Sequence, residues 1–418
     1  MKTNFQLELL VLSFFLIAHS QAQVQPDQVI EIFRHGARGP LDSYDPQWSS
    51  SELGQLTTVG MVEQYNLGKT FATKYSNLVA AGFSPSDVYV LSDDVKRCIE
   101  SAMVQVSSIF RGLTSTLSTS SPKGLQDNLI AEYTPLLPTD EASRGAYVPV
   151  EVNIATSGSN EYLIFNGNEA AYCSKLSDYS SQDETSSKAT EAWTLFQDPI
   201  EEVNALLPSS EKINNMGKLV IAYDAFIADV AADKTLPGGI SDYQLIENLG
   251  FGQAYYIYLL EQGQKIQRQL TSFNTIHAVL DQVTNFRAGK NPKKLALYSA
   301  HDKNMYAVLA AFGVVSEECL LINYDSNTAD ETLTDPSCQY PAFASYLTFE
   351  FYNDTANPYI KFYYNETLVP LCNGQDSCGY EDFLVFARSA GGNNTLASWN
   401  DQCKSKPFDF SLIVIQIL

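Results

Sequence analysis

Three short apolar segments constrain the fold of this chain more than any other feature of its sequence. They are VIEIF (29–33), DVYVLS (87–92) and KLALYS (294–299). Apolar runs of this kind are typical of strands that are covered on both faces of a sheet. Helical patterns follow the first two segments, with apolar stripes from Met61 to Tyr75 and from Val95 to Ile109. Because strands alternate with helices, we expect an α/β core.

The later part of the chain adds a hairpin and a helical insertion to this core. SYLTFEFYN (345–353) and YIKFYYN (359–365) alternate apolar and polar residues around a short turn-forming segment, which predicts a β-hairpin. Between about residue 120 and residue 290 the pattern is mostly helical. The simplest interpretation is one discontinuous core, formed by 23–120 and 291–403, with a helical cap inserted at 121–290.

Both ends of the chain carry apolar segments outside the predicted core. Residues 1–22 combine Lys2, an apolar stretch and the small residues before a cleavage point after Ala22, which is typical of a secretory signal peptide. The tail at 404–418 ends in FSLIVIQIL, which is too short to span a membrane. It could equally dock as an edge strand or stay loose. We therefore expect an exported protein, secreted or lysosomal, without a transmembrane anchor.

Cysteine count and net charge narrow the classes of function. An exported protein meets an oxidising compartment, and seven cysteines leave one unpaired. Cys98 lies on the apolar stripe of its helix, which predicts a buried free thiol. No CxxC pair or His/Cys cluster appears in the sequence, so we expect no metal site and no cofactor. The net charge of −22 argues against nucleic acid as a partner, because nucleic acid binding needs a basic surface.

Residues suited to phosphate chemistry follow each of the three apolar segments. They are Arg34, His35 and Arg38 after the first, Arg97 after the second, and His301 with Asp302 after the third. In open α/β sheets, ligands bind at the carboxyl ends of the strands, so we expect these side chains to converge. A lone RHG tripeptide or His-Asp pair is more often structural. Three such sites, each at a strand end, favour a shared function.

Convergence of these side chains would create a site for a tetrahedral oxyanion. Guanidinium groups repel one another unless they bind an anion, and their planar forks match phosphate oxygens. An imidazole nitrogen can attack phosphorus without a metal ion, which makes His35 a candidate nucleophile. Asp302 is a candidate proton donor to the leaving oxygen. The arginines and His301 would stabilise the charge of the transferring group.

Together, these motifs resemble the histidine acid phosphatases, which form branch 2 of the histidine phosphatase superfamily. The family pattern RHGxRxP is matched at 34–40, and LTxxG followed by LG is matched within 56–68. The S-x-D-V-x-R stretch is matched at 92–97 and S-A-H-D at 299–302. The resemblance covers roughly residues 27 to 403. It implies a mixed, largely parallel central sheet with helices on both faces and a helical cap.

The resemblance also implies roles for individual residues. His35 would carry the phosphoryl group as a phosphohistidine, and Asp302 would donate the proton. The substrate phosphate would be bound by Arg34, Arg38, Arg97 and His301. The implied disulfides are Cys173 with Cys403, Cys372 with Cys378 and Cys319 with Cys338, and Cys98 stays free. Lys303 departs from the family pattern, and it could either add charge at the pocket rim or face solvent.

The loop after the first motif narrows the expected substrate. GPLDSYDPQW (39–48) contains two aspartates, a tyrosine and a tryptophan but no lysine, which favours small or aromatic phosphate monoesters or phosphoproteins over phytate. A phytase or inositol phosphate phosphatase is the alternative, and a non-catalytic phosphate-binding relative is another. Three sequons, at Asn353, Asn365 and Asn393, fit export. The sequence leaves the oligomeric state open, with a homodimer as one option.

Overall fold

The computed structural model describes residues 24–80, 84–110, 150–291, 293–328, 335, 337–392 and 394–404. The expected signal peptide at 1–22 lies outside the described residues, as do Asn393 and the tail from residue 405 onward. What we expect of those segments therefore stays a prediction.

An eight-stranded mixed sheet forms the centre of the protein. Its strands are β1 (Gln28–Arg34), β2 (Val88–Ser92), β3 (Asn153–Ile154), β4 (Leu295–Ala300), β5 (Tyr346–Tyr352), β6 (Tyr359–Tyr364), β7 (Thr367–Leu368) and β8 (Cys378–Gly379). The neighbours β3-β2-β4-β1 run parallel, and β5 pairs antiparallel with β1 and continues into β6 and β7. The predicted fold class and all five predicted strands are confirmed.

Helices cover both faces of the sheet. Those before β3 are α1 (Thr58–Lys74), α2 (Ser76–Val79) and α3 (Lys96–Ile109). Those between β3 and β4 are α4 (Asn160–Asn166), α5 (Ser174–Glu184), α6 (Ser187–Leu195), α7 (Gln197–Leu206), α8 (Met216–Ala231), the 3₁₀ turn Pro237–Gly239, α9 (Tyr243–Gln262) and α10 (Lys265–Arg287). Those after β4 are α11 (Asp302–Ala311), α12 (Glu317–Thr328), α13 (Tyr380–Ala390) and α14 (Leu396–Cys403).

Alternate side chains of β1 show why both faces must be covered. Val29 and Phe33 are buried in a cluster that includes residues of α1 and α3. Ile30 and Ile32 point to the opposite face and are buried in a larger cluster. Burial of each such side chain contributes about 1.5–3 kcal/mol. The larger cluster continues into α8, α9 and α10, so these helices and the sheet share one continuous core.

One helical prediction was partly wrong, because Gly68 and Tyr75 of the predicted stripe are buried but Met61, Tyr65 and Ala72 are only half-buried. The buried face of α1 contains Gly60, Gln64, Leu67 and Phe71, whereas the predicted stripe began at Met61. The reason is the loop after β1. A Cβ on Gly60 would lie 2.2 Å from the carbonyl oxygen of Ala37, so the helix turns its glycine toward that loop. The stripe predicted for α3 is buried at Cys98, Ala102, Val106 and Ile109, as expected.

The described part of the chain contains three disulfides and a buried free thiol. The disulfides join Cys173 to Cys403, Cys319 to Cys338 and Cys372 to Cys378, and Cys98 is the free cysteine. This is the pairing that the family resemblance implied. The first disulfide connects the start of α5 to the end of α14 across 230 residues. None of the described helices is both long enough and apolar enough to cross a membrane.

Candidate active site

The carboxyl ends of three adjacent parallel strands form one edge of the sheet. β4 lies between β2 and β1, and the register pairs Arg34 with Ala300 and Ser92 with Ser299. The residues that follow β1, β2 and β4 therefore meet at this edge. The rings of His35 and His301 lie 5.5 Å apart between their centroids. All six predicted site residues belong to this group, which we call the cationic cup: Arg34, His35, Arg38, Arg97, His301 and Asp302.

Backbone contacts fix the loop that carries His35. The amide of His35 donates to the carbonyl of Ala300 at 3.1 Å, and the carbonyl of His35 accepts from the amide of Ala344 at 3.2 Å. A Cβ on Gly36 would lie 2.2 Å from the carbonyl oxygen of Gly60 at the start of α1. Glycine at position 36 is therefore required for the loop to pack against the helix.

His35 presents one unprotonated ring nitrogen to the cup. Its Nδ1 lies 2.9 Å from the carbonyl oxygen of Gly36, a contact that requires Nδ1 to carry the proton. The lone pair is then on Nε2. Burial lowers the pKa of His35 well below its usual 6.5, and the charges of Arg34, Arg97, His301 and Arg38 lower it further. His35 is 1% exposed, and its lowered pKa favours the neutral ring.

Three arginines contribute unpaired donors to the cup. The Nε atoms of Arg34, Arg38 and Arg97 are buried and have no hydrogen-bond partner among the residues that the structure describes. Burial lowers the pKa of Arg97, and the charges of Arg38 and Arg34 act in the same direction. Buried donors are normally satisfied, so three such groups beside one another fit an oxyanion that accepts several hydrogen bonds.

Asp93 contacts His301 of the cup, and the sequence patterns did not identify it as a site residue. It is fully buried, and its Oδ2 lies 2.7 Å from Nε2 of His301. Its Oδ1 accepts from the side-chain amide of Asn166 at 2.8 Å. Burial opposes the charged imidazole, but Cys98 and the hydrogen bond to Asp93 outweigh it and raise the pKa of His301 to about 10. His301 is therefore a fixed cationic donor. The signal that could have identified Asp93 is its position directly after β2.

Asp302 is ionised in this structure because arginine surrounds it. Its Oδ2 lies 2.7 Å from Nη2 of Arg34. Burial alone would raise the pKa of this carboxyl group, but Arg34, Arg38 and His301 lower it to about 2. The other terminal nitrogen of Arg34 donates to the carbonyl of Pro341 at 2.6 Å. Asp302 and the backbone therefore hold Arg34 from two sides.

The amino end of β5 supplies a second residue that the sequence patterns missed. Because β5 is antiparallel to β1, the loop before it reaches the same edge of the sheet. Phe343 in that loop lies 4.3 Å from the guanidinium carbon of Arg34, measured to the ring centroid, and 6.0 Å from the ring of His35. Lys303 directly follows Asp302 in the chain, and its Nζ lies 2.9 Å from Glu261. Lys303 thus lies at the rim with its charge paired.

One group among the described residues combines three types of metal ligand. Asp93, Cys98 and His301 bring their ligand atoms within 4.8 Å of one another. Both carboxylate oxygens of Asp93 already bind His301 and Asn166. The sulfur of Cys98 lies 3.8 Å from Nδ1 and 3.7 Å from Nε2 of His301, so it is on the lone-pair axis of neither nitrogen. These contacts indicate that Asp93 and Cys98 position His301 rather than bind a metal ion together with it.

Sequence comparison decides between a family resemblance and family membership. Residues 27–365 match the sequence profile of the histidine phosphatase superfamily, branch 2. The chain belongs to branch 2 of the histidine phosphatase superfamily. The enzyme class expected from the sequence, a phosphoric monoester hydrolase of the acid phosphatase type, is confirmed at the level of this family.

Curated relatives of this histidine phosphatase are acid phosphatases. Human testicular acid phosphatase is 24% identical over 343 residues, which cover 78% of this chain and 67% of the relative. Human prostatic acid phosphatase is 23% identical over 422 residues, which cover 96% of this chain and 93% of the relative. Rat lysosomal acid phosphatase is 33% identical over 85 residues, which cover 19% of this chain and 20% of the relative.

Solved structures show the same fold for this histidine phosphatase. The phytase of Klebsiella sp. ASR1 superposes with a TM-score of 0.60 at 14% identity, covering 89% of this chain and 96% of the phytase. The phytase of Citrobacter braakii gives a TM-score of 0.59 at 13% identity, covering 92% and 100% of the two chains. At such low identity, these matches establish the fold alone.

Proposed function

We propose that this protein is an acid phosphatase that hydrolyses phosphate monoesters through a phosphohistidine on His35, without a metal ion. One observation carries the proposal: the unprotonated Nε2 of His35 shares a cup with three buried arginine Nε groups that have no acceptor among the described residues. A nucleophile and donors for a tetrahedral anion are therefore side by side. Family membership and the names of the relatives support the same reaction class.

In the first step, Nε2 of His35 attacks phosphorus. The N–P bond forms while the bond between phosphorus and the leaving oxygen breaks. The proton stays on Nδ1, which donates to the carbonyl oxygen of Gly36, and this hydrogen bond stabilises the positive charge that develops on the ring. The three arginines and the His301 cation stabilise the equatorial oxygens of the phosphoryl group. In this mechanism, Asp302 gives its proton to the leaving oxygen.

Asp302 has no proton to give until the substrate arrives, because its pKa is about 2 in the ligand-free protein. A monoester in its singly charged form brings one proton. Its negative charge also competes for Arg34, whose pairing keeps Asp302 ionised. Loss of this cation and the proximity of a like charge both raise the pKa of a carboxyl group. The proton therefore passes to Asp302 in the complex.

In the second step, water replaces the leaving alcohol. Asp302, now ionised, takes a proton from the water as its oxygen attacks phosphorus. The N–P bond breaks, the electron pair returns to Nε2 of His35, and inorganic phosphate is released. The arginines act in both steps because the same three phosphoryl oxygens carry the charge each time.

Deprotonation of the substrate phosphate, rather than deprotonation of Asp302, is expected to limit activity at high pH. A phosphate monoester loses its second proton near pH 6, so kcat/KM should fall above that pH. Protonation of His35 is not expected to limit activity at mildly acidic pH, because the pKa of His35 is well below 6.5. Measured pH profiles for an aryl and an alkyl monoester should fall at different pH values, in the order of their phosphate pKa values. Superimposed profiles would contradict this assignment.

Charges around the cup favour small monoesters or phosphoproteins over phytate. The outer nitrogens of Arg38 are bound by Asp224, and Lys303 is bound by Glu261. Both cations are therefore already paired with carboxylates, whereas a polyphosphate needs free cations for its additional phosphates. A phytase remains the alternative because solved phytases share the fold. Comparing kcat/KM for an aryl monoester and for phytate decides between them.

The direct test of the mechanism is to trap the phosphoenzyme. Wild-type protein mixed with labelled aryl phosphate and quenched in base should retain phosphate in an acid-labile bond. The His35→Ala variant should lose the label and lower kcat/KM by about 10⁴-fold or more, as expected for loss of a nucleophile. His277→Ala is the matched control, because that histidine packs against Phe273. Turnover that survives in His35→Ala, or disappears with a chelator, would falsify the mechanism.

We also propose export, with the domain division predicted above. Three disulfides fit an oxidising compartment, and the N-terminal residues have signal-peptide composition. Of the described sequons, Asn365 is exposed in the turn between β6 and β7, whereas Asn353 is half-buried. Both side-chain oxygens accept a hydrogen bond, from the amide of Tyr346 and from Arg287 respectively. Asn365 is therefore the better glycosylation site. N-terminal sequencing and glycosidase treatment of the secreted protein test both points.

A further inference from the structure

Asp224, on helix α8 between β3 and β4, contacts Arg38 of the cationic cup. Its two oxygens accept hydrogen bonds from both terminal nitrogens of Arg38, from Nη2 at 2.7 Å and from Nη1 at 3.2 Å. Oδ2 also accepts from the amide of Leu41 at 2.8 Å. The side chains of Arg38 and Asp224 are 3% and 18% exposed. The contact is therefore a bidentate ion pair that is largely shielded from solvent.

These contacts leave one edge of Arg38 available. A guanidinium group has five N–H groups in one plane. Asp224 takes the edge between the two terminal nitrogens, and the carbonyl of Gly39 accepts from Nη1 at 3.0 Å. The Nε–H is buried and has no partner within the described part of the chain. The free edge is thus the one that contains Nε and the remaining proton of Nη2, a fork that matches two phosphate oxygens.

We infer that Asp224 is a positioning residue, which holds Arg38 so that its Nε edge faces the transferring phosphoryl group. Asp224 itself does not touch the substrate in this arrangement. It removes the rotational freedom of a long side chain before substrate binds, and such preorganisation is the main source of electrostatic stabilisation. Asp224 affects turnover only if the cup is a phosphatase site, so this inference rests on the proposed function.

A purely structural role for Asp224 must be separated from this one, because the same helix also docks the loop that follows Arg38. Asp229, five residues further along α8, accepts from Nε1 of Trp48 at 2.6 Å. Burial and a hydrogen bond with Asp45 raise the pKa of Asp229 to about 7. Asp229→Ala removes the hydrogen bond to Trp48 and leaves Arg38 untouched. Asp229→Ala is therefore the matched control for docking.

The experiment is a double-mutant cycle on kcat and KM at pH 5 with an aryl monoester. We expect Asp224→Ala to lower kcat/KM by about 10- to 100-fold, mainly through kcat, somewhat less than removal of a preorganised donor itself. In the Arg38→Ala background the same substitution should change kcat/KM by less than about 3-fold, because its partner is gone. Asp224→Glu should recover part of the loss, and Asp229→Ala should stay within about 3-fold of wild type.

Each outcome decides between the two roles. Equal losses from Asp224→Ala in the two backgrounds, or a wild-type rate in Asp224→Ala, would overturn the inference. A loss in Asp229→Ala as large as in Asp224→Ala would also overturn it, because docking alone would then explain the effect. If Asp224→Ala does not fold, Asp224→Glu carries the test, and an unchanged kcat in that folded variant overturns the inference. Wild-type protein without phosphatase activity would refute the proposed function instead.

Discussion

Asp302, half-buried at the start of α11, and Glu31, buried in β1, are carboxyl groups whose pKa values shift in opposite directions. Asp302 follows β4 and contacts Arg34, and the surrounding cations lower its pKa to about 2 against the effect of burial. Glu31 lies in the middle of β1, is 1% exposed, and accepts a hydrogen bond from Gln105. Burial raises its pKa to about 8 although Gln105 and Lys74 oppose the shift.

The difference depends on where the nearby cations are already bound. Lys74 lies 3.2 Å from Oε1 of Glu350, on the strand next to Glu31. Glu350 also accepts from the hydroxyls of Tyr75 at 2.7 Å and Tyr352 at 2.8 Å. The carboxylate of Glu350 is therefore stabilised by a lysine and two hydroxyl donors, whereas Glu31 accepts from the side-chain amide of Gln105. Burial decides the charge of a carboxyl group only where no cation is free to pair with it.

The two shifts also act on stability at opposite ends of the pH scale. The folded pKa of Asp302 is below its usual 3.8, so its contribution is present above that pH and is lost as the pH falls toward 2. The folded pKa of Glu31 is above its usual 4.5, so its contribution is present below that pH and is lost as the pH rises through 8. Together they favour the folded state most strongly between the usual pKa values of the two groups, 3.8 and 4.5.

Replacing each carboxyl group by its amide tests the comparison through a different measurement, turnover for Asp302 and stability for Glu31. Of the two, Asp302→Asn has the larger expected effect on turnover. Asparagine cannot pass a proton to the leaving oxygen or accept one from water, so kcat should fall by about 10²–10⁴-fold. The loss should be greater for an alkyl ester than for an aryl ester, whose leaving group needs less protonation. Steady-state kinetics on both esters measures this. An equal loss on both would show that Asp302 only holds Arg34.

Asp93→Asn should have a smaller effect on turnover, which acts through His301. The carboxylate that raises the pKa of His301 to about 10 becomes neutral, so the imidazole loses its proton at a lower pH. We expect kcat/KM to fall by about 10- to 100-fold, with a new decline toward neutral pH. Asp94→Asn, at an exposed neighbouring position, is the control. A uniform loss at every pH would instead indicate a structural role for Asp93.

Sequence reasoning identified the six cup residues because each follows a strand and belongs to a local motif. It missed Asp93, although that residue lies inside one of the motifs, because its type also suits a helix N-cap and its partner His301 is 208 residues away. It missed Phe343 and Asp224 for a related reason. Both residues reach the cup from elements other than β1, β2 and β4. No local sequence pattern predicts which distant element packs against the cup. Periodicity predicts elements, whereas such contacts depend on how the elements assemble.

Glu31→Gln has the smallest expected effect on turnover and sharpens the comparison through stability. The amide resembles the protonated acid that the folded protein holds, so the free energy of unfolding at pH 5 should change by less than about 1 kcal/mol. At pH 8 the wild-type protein must either keep a proton that the unfolded chain releases or bury a charge, and the variant avoids both. The variant should then be the more stable by a few kcal/mol, on the order expected for a shift of this size.

Urea unfolding of wild type and Glu31→Gln at pH 5 and pH 8 measures this difference directly. Gln105→Leu, which removes the donor to Glu31, is a useful companion because Gln105 lowers the pKa of that carboxyl group. It should steepen the decline of wild-type stability between the two pH values. Parallel curves for wild type and Glu31→Gln would mean that Glu31 finds a cation after all. The contrast with Asp302 would then reflect only how tightly each carboxyl group is paired.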